Sequence, residues 1–104
     1  MLFRSKTEKN LGRKERHAIG FLSACSEMGV KVGKTKNCDL RVAGCDDNPY
    51  SRFTSPPLTT AAHDYNTVSD NAALALFELI NNGGKSKKRP ETLYSANLIL
   101  RDSA

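Results

Sequence analysis

The sequence predicts an α/β fold: part of a larger domain, with two main helices and a few mostly parallel strands. Three observations lead there. Residues 13–28 and 66–81 carry apolar side chains at helical spacing. Two short runs, 39–44 and 92–100, read as strands that alternate with them. The order is then helix, strand, extended crossover, helix, strand, which is the alternation that accompanies a parallel sheet. So few strands do not cover two amphipathic helices, and the chain reads as one end of an α/β domain.

Each element has a local reason. Residues 1–10 lack hydrophobic periodicity and are expected to have no regular structure. Residues 1–16 together read as a basic arm, disordered or unrelated to the rest, and 17–104 as the domain. The first helix is expected from Leu11 or Arg13 to Met28, with Ala18, Ile19, Leu22, Cys25 and Met28 on one stripe. Gly29 stands where a helix ends in a left-handed residue. Val30 to Asn37 is basic and reads as a loop. Asp39 to Gly44 reads as a strand, Leu40 and Val42 on one face and Ala43 on the other, running into the turn Cys45-Asp46-Asp47-Asn48-Pro49. Ser55-Pro56-Pro57 keeps the chain extended, because proline restricts both itself and the residue before it. Leu58 to Ala62 continues extended. The second helix spans about Asn66 to Asn81, with Asn66 as its expected cap. Its stripe is Val68, Ala72, Leu76 and Ile80, flanked by Ala73 and Phe77. Asn82-Gly83-Gly84 stops it. A basic loop over 85–90 leads to a strand from Thr92 to Leu100, broken near Ser95-Ala96.

Composition excludes several function classes. A chain of 104 residues holds one small domain. Its 38% hydrophobic and 26% charged residues fit a soluble globular protein. Sixteen basic residues against 11 acidic give a net charge of +5. The excess sits in two runs, Arg4, Lys6, Lys9, Arg13, Lys14 and Arg16, then Lys85, Lys87, Lys88 and Arg89. Such runs bind phosphates or are simply solvated. No aromatic residues are interleaved to stack on bases, which favours the solvated reading. Cys25, Cys38 and Cys45 are odd in number and lack CxxC spacing or a histidine partner, so neither a metal site nor a disulfide framework is expected. No apolar run has the length of a signal peptide or approaches the ~20 residues of a membrane span, and a reducing cytoplasm is the simplest compartment. No Ser-His-Asp order or pair of acids points to catalysis. Ser69, His63 and Asp64 are too close in sequence to suggest a triad. The expectation is a protein that is not an enzyme and uses no cofactor.

The stretch from Gly44 to Thr60 carries a resemblance. Gly44-Cys45-Asp46-Asp47, an eight-residue spacer and Pro56-Pro57-Leu58-Thr59-Thr60 resemble a signature of LacI/GalR-type transcription regulators. His63-Asp64-Tyr65 is similar to that family's stretch before its next helix. Asn97-Leu98-Ile99-Leu100-Arg101-Asp102-Ser103 is similar to its closing strand, which ends in Arg-x-Ser. Ala18-Ile19-Gly20 through Glu27-Met28-Gly29-Val30 resembles its Ala-Leu-Gly helix. The match covers about residues 17–104. Three departures stand out. Lys14-Glu15 replace the family's Asn-Asp, Cys45 replaces an aromatic residue, and the loop from Lys34 to Cys38 is longer.

The resemblance implies the C-terminal part of a periplasmic-binding-protein-like (type I) effector-binding core. In that family a small effector, usually a sugar, sits between two α/β subdomains, and a helix-turn-helix head, expected to be absent here, reads DNA as a dimer. By resemblance Asp46 binds the effector, with His63 and Tyr65 in the cleft. Asp46 also ends a predicted parallel strand, the edge where open α/β sheets place ligands. The structural alternatives are that Asp46 and Asp47 cap their own turn, that His63 is structural, and that Tyr65 is a hydrophobic staple. Ile19 matches a dimerisation helix, and Tyr50, Arg52 and Phe53 lie in a spacer that packs across the dimer; the alternative for an apolar stripe is intramolecular core. Three readings follow: a sugar-responsive regulator fragment, an interaction remnant that dimerises with full-length paralogues, and a small basic nucleic-acid-binding protein.

Overall fold

The computed structural model describes residues 2–4, 9–11, 15–85 and 91–104. Two compact units emerge, Met1–Ala62 with Asn97–Ala104, and His63–Ala96.

The first unit holds one mixed sheet. Its strands are β1 (Leu2–Arg4), β2 (Lys9–Leu11), β3 (Arg41–Cys45), β4 (Thr59–Ala62) and β5 (Asn97–Ile99), in the order β2-β1-β3-β4-β5. β3 and β4 run parallel, with Ala43 beside Thr59 and Cys45 beside Ala61. β1 is antiparallel to both β2 and β3, and β5 is antiparallel to β4. The two N-terminal strands correct the expectation that residues 1–10 lack regular structure. A strand that completes the backbone pairing of β3 needs no alternation of side chains, so periodicity gives no sign of it. β5 is shorter than the strand expected from Thr92, and begins after the expected break at Ser95-Ala96.

The first helix, α1, runs Glu15–Glu27. It buries Glu15, Ala18, Leu22 and Cys25, the i, i+3, i+7, i+10 positions of one stripe. Ala18 and Leu22 pack with Val42 of β3 and with Leu58, and Ile19, Phe21 and Val32 lie against this core. Gly29 ends the helix at φ 70°. The Val30 N–H bonds the Cys25 carbonyl at 2.8 Å and the Gly29 N–H bonds that of Ser26 at 3.3 Å, which is a Schellman ending. Met28, expected on the buried stripe, therefore lies past the last turn and is exposed.

With so small a core, buried polar groups carry much of the specificity. The Ser103 hydroxyl donates to the Val42 carbonyl at 2.6 Å and accepts from the Thr59 N–H at 2.8 Å. The Ser103 carbonyl accepts from Val42 N–H at 2.9 Å, and its own N–H reaches the Pro57 carbonyl at 3.0 Å. Arg101 donates to the Leu58 carbonyl through Nη1 at 2.7 Å and to Asp47 through Nη2 at 2.8 Å. The last four residues thus stitch the start of β4 to β3.

Glu15 does the same at the other end of the helix–sheet contact. It is 3% exposed. One carboxylate oxygen accepts the Asn48 N–H at 2.8 Å and the other accepts the Ser51 hydroxyl. A side chain on Gly44 would place its Cβ 3.2 Å from the Glu15 Cγ and 3.0 Å from Leu58 Cδ2, so any larger residue here pushes on both side chains. Asn48 caps a 3₁₀ helix, Pro49–Phe53, by accepting the Tyr50 N–H at 3.0 Å.

In the second unit, α2 runs Tyr65–Asn81. Its cap is Asp64, two residues earlier than the Asn66 expected from sequence. The Asp64 carboxylate accepts the Thr67 N–H at 3.1 Å and the Thr67 hydroxyl at 2.6 Å. These bonds hold the carboxyl below its ordinary pKa, the hydroxyl contributing most. Gly83 and Gly84, at φ 64° and 75°, terminate the helix as expected. Its apolar stripe is solvent-facing: no residue of α2 is buried.

Two substitutions test the polar network. Ser103→Ala leaves the Val42 carbonyl and Thr59 N–H short of a partner and is expected to lower unfolding free energy by about 2 kcal/mol, read as a lower urea midpoint at unchanged slope. Glu15→Ala, which orphans two donors, is expected to cost about 3 kcal/mol, with Glu15→Gln costing less because one acceptor oxygen remains. Equal midpoints for both Glu15 variants would show that the carboxylate itself is not what holds the 3₁₀ helix.

Candidate functional site

The candidate site begins where β3 ends. Asp46 and Asp47 both adopt positive φ, 102° and 45°, a region costly for side chains larger than glycine. The turn is held by bonds to β4 on both residues. The Asp46 N–H donates to the Ala61 carbonyl at 2.8 Å, and the Asp47 N–H donates to the Thr60 hydroxyl at 3.2 Å. Asp47 then pairs with Arg101 at 2.8 Å, with both side chains mostly buried. Arg101 is itself fixed from behind, since its N–H donates to the Thr59 hydroxyl at 2.8 Å. Two adjacent acids therefore have separate environments. Asp47 is tied to a guanidinium, whereas Asp46 is exposed at the carboxyl end of the parallel pair. Such an edge is where α/β sheets place ligands. Cys45, just before the turn, has its thiol pKa raised, first by burial and then by the Asp46 charge. Burial likewise raises that of Cys25. Neither is an activated nucleophile.

His63 and Tyr65 come together in the second unit. Their rings meet edge to face, centroids 6.0 Å apart at 67°. The Tyr65 N–H also donates to the His63 carbonyl at 3.0 Å. His63 is half-buried and Tyr65 is 51% exposed.

The residues expected at a dimer surface fall on two adjoining elements. Ile19 of α1 and Tyr50 of the 3₁₀ helix line one open groove of about 480 Å³ with Arg16, Gly20 and Asn48. Arg52 and Phe53 lie on the same 3₁₀ helix and are exposed, Phe53 by 79% and Tyr50 by 71%. Ile19 also packs against the core, so it serves both the inside and the groove. The glutamate beneath the groove, Glu15, fixes the 3₁₀ helix against α1 through Asn48 and Ser51.

Sequence reasoning did not find Glu15, Asp47 or Arg101 in these roles. Glu15 was visible only as a departure from a family pattern. The Asp47–Arg101 pair spans 54 residues, and no local spacing encodes it. The Arg-x-Ser ending was the one available signal. Of the two basic runs, the second lies mostly outside the described residues, as do the side chains of all but Arg16 in the first.

Residues 11–104 match the periplasmic binding protein-like domain family. The chain is 36% identical over 86 residues to the HTH-type transcriptional repressor PurR of Pasteurella multocida, covering 83% of this chain and 24% of that protein. Among solved structures it is similar to the lac repressor dimer bound to operator and the anti-inducer ONPF, with TM-score 0.70 and 26% identity, covering 88% of this chain and 29% of that one. It is also similar to a LacI family transcriptional regulator from Lactobacillus casei with bound sucrose, with TM-score 0.59 and 29% identity, covering 88% and 31% of the respective chains. The chain spans about a quarter of the length of the PurR and MalR regulators it matches. Its parallel β3·β4 pair, the Asp46-Asp47 turn and the Arg101-x-Ser103 stitch thus sit in a sequence that belongs to the periplasmic binding protein-like domain family.

Proposed function

We propose that this chain supplies one wall of a sugar-sensing cleft, with Asp46 as the residue that accepts hydrogen bonds from the effector. The observation that carries the reading is the split between two adjacent acids. Asp47 is neutralised by Arg101, while Asp46 is exposed at the carboxyl end of the β3·β4 pair. A carboxylate in that position accepts hydrogen bonds from two neighbouring hydroxyls, which suits a sugar. His63 and Tyr65, whose rings pair edge to face with half of Tyr65 exposed, offer a polar contact and an aromatic face to a sugar. The groove lined by Ile19 and Tyr50, with Arg52 and Phe53 beside it, is the dimer surface of this reading. DNA is read elsewhere in such a regulator. The reading carries a reducing, cytoplasmic location with it, which the free cysteines Cys25, Cys38 and Cys45 suit. Among the described residues no helix is long and apolar enough to cross a membrane.

A chimera tests the effector assignment. Residues 44–65 of this chain replace the matching stretch of the sucrose-bound Lactobacillus casei regulator, and sucrose affinity is measured by calorimetry. Binding is expected to persist, and Asp46→Asn in the chimera to weaken it about tenfold or more, since a charged acceptor becomes a neutral one. An Asp46→Asn chimera that binds as well as its parent removes Asp46 from the site. For the dimer surface, Tyr50→Asp in this chain is expected to lower the weight-average mass in sedimentation equilibrium. An unchanged mass would take the groove out of the interface.

A further inference from the structure

Asp46 holds a backbone conformation that an aspartate does not keep unaided. Its φ is 102°, past the left-handed well at roughly +50 to +70° that short polar residues enter at small cost. Strain of this kind persists only where the surrounding structure over-determines it. Two restraints act on the main chain of the turn, the Asp46 N–H on the Ala61 carbonyl and the Asp47 N–H on the Thr60 hydroxyl. A third acts on a side chain, through the Asp47 carboxylate and Arg101 Nη2 at 2.8 Å.

Arg101 is built for that third restraint. Its Nη1 donates to the Leu58 carbonyl at 2.7 Å, and its main-chain N–H donates to the Thr59 hydroxyl at 2.8 Å. That hydroxyl in turn donates to the Ala104 carbonyl at 3.1 Å. One planar guanidinium therefore spans from the residue before β4 to the turn after β3. A lysine has a single terminal nitrogen and does not hold two acceptors in the fixed geometry of a fork. The two side chains of the pair are 15% and 24% exposed, so solvent and salt screen the contact little. The arrangement also decides which acid receives the positive charge, Asp47 and not Asp46.

We infer that Arg101 is the positioning residue of the effector site: through Asp47 it holds Asp46 at its positive φ, so that the carboxylate is set for a polyhydroxy ligand before the ligand arrives. The inference rests on the reading of Asp46 given above. Arg101 acts through Asp47 rather than on the ligand, and its effect on affinity is the ordering that binding no longer has to supply.

Two measurements test it. The first is NMR of the full chain with no sugar present, reading φ of Asp46 from the coupling between its amide and α protons. The coupling is expected to be small, and to rise in Arg101→Lys and in Asp47→Asn as Asp46 relaxes to negative φ. Leu22→Val, which loosens the core away from the turn, is expected to lower the urea midpoint and leave the coupling as it was. The second is sucrose calorimetry on a chimera in which residues 44–104 of this chain replace the matching stretch of the Lactobacillus casei regulator. Arg101→Lys is expected to weaken binding about fivefold when Asp46 is present. In an Asp46→Asn background the same change is expected to have less than about a twofold effect, because the group it positions is gone. The inference is overturned by a coupling that Arg101→Lys leaves unchanged, by the same rise in Leu22→Val, or by an equal loss of affinity in both backgrounds. If Asp46→Asn alone leaves sucrose binding intact, it is the effector reading that fails, and the sugar-free coupling still decides whether Arg101 holds Asp46.

Discussion

The Ser103 hydroxyl lies between two parallel strands and bonds both, giving its proton to Val42 and taking one from Thr59. Parallel neighbours cannot be joined by a tight turn, so the start of such a pair depends on something outside the hairpin vocabulary. Here that role falls to the last residues of the chain. Once Ser103 fixes the start of β4, Arg101 is within reach of both the Leu58 carbonyl and Asp47. The turn at the far end of β3 is then held from β4 through Thr60 and Ala61 and from the C-terminal segment through Arg101. One end of the strand pair is clamped so that the other can present Asp46.

The small hydrophobic core explains why polar groups carry this load. Ala18, Leu22, Val42 and Leu58 form the buried cluster, which is little apolar surface for a domain. Buried beside them are Glu15, Ser51, Thr59, Thr60 and Ser103. A buried polar group stabilises only when its partners are present, and costs free energy when they are not. Among the described residues every buried side-chain nitrogen and oxygen has one. The network is therefore specific in a way that an apolar core of this size is not, since moving β3 or β4 by one residue breaks several of its bonds together.

Glu15 shows how a family position can change its chemistry and keep a place in the fold. Read as sequence, Lys14-Glu15 is a loss, because the resemblance has an Asn-Asp pair there. In the fold Glu15 anchors the start of α1 to Asn48 and Ser51, against a glycine that leaves room for it. The carboxylate serves packing between α1 and the 3₁₀ helix, and so supports the groove that Ile19 and Tyr50 share.

Local chemistry was legible in the sequence wherever neighbours in the chain decide the outcome. The stripe Ala18, Leu22, Cys25 and the Gly29 ending placed α1, and Gly83-Gly84 placed the end of α2. The shift of the α2 cap from Asn66 to Asp64 is a matter of which side chain reaches the Thr67 N–H, a choice that spacing alone leaves open. The turn at Asp46 and its place after a parallel strand could also be read. Only the tertiary structure decided that β1 and β2 extend the sheet, that Asp47 and not Asp46 takes the Arg101 charge, and that Glu15 is buried. The reason is the same in each case. Backbone pairing and hydrogen bonds between residues tens of positions apart leave no periodic trace, and they exist only after the strands that carry them have been brought side by side.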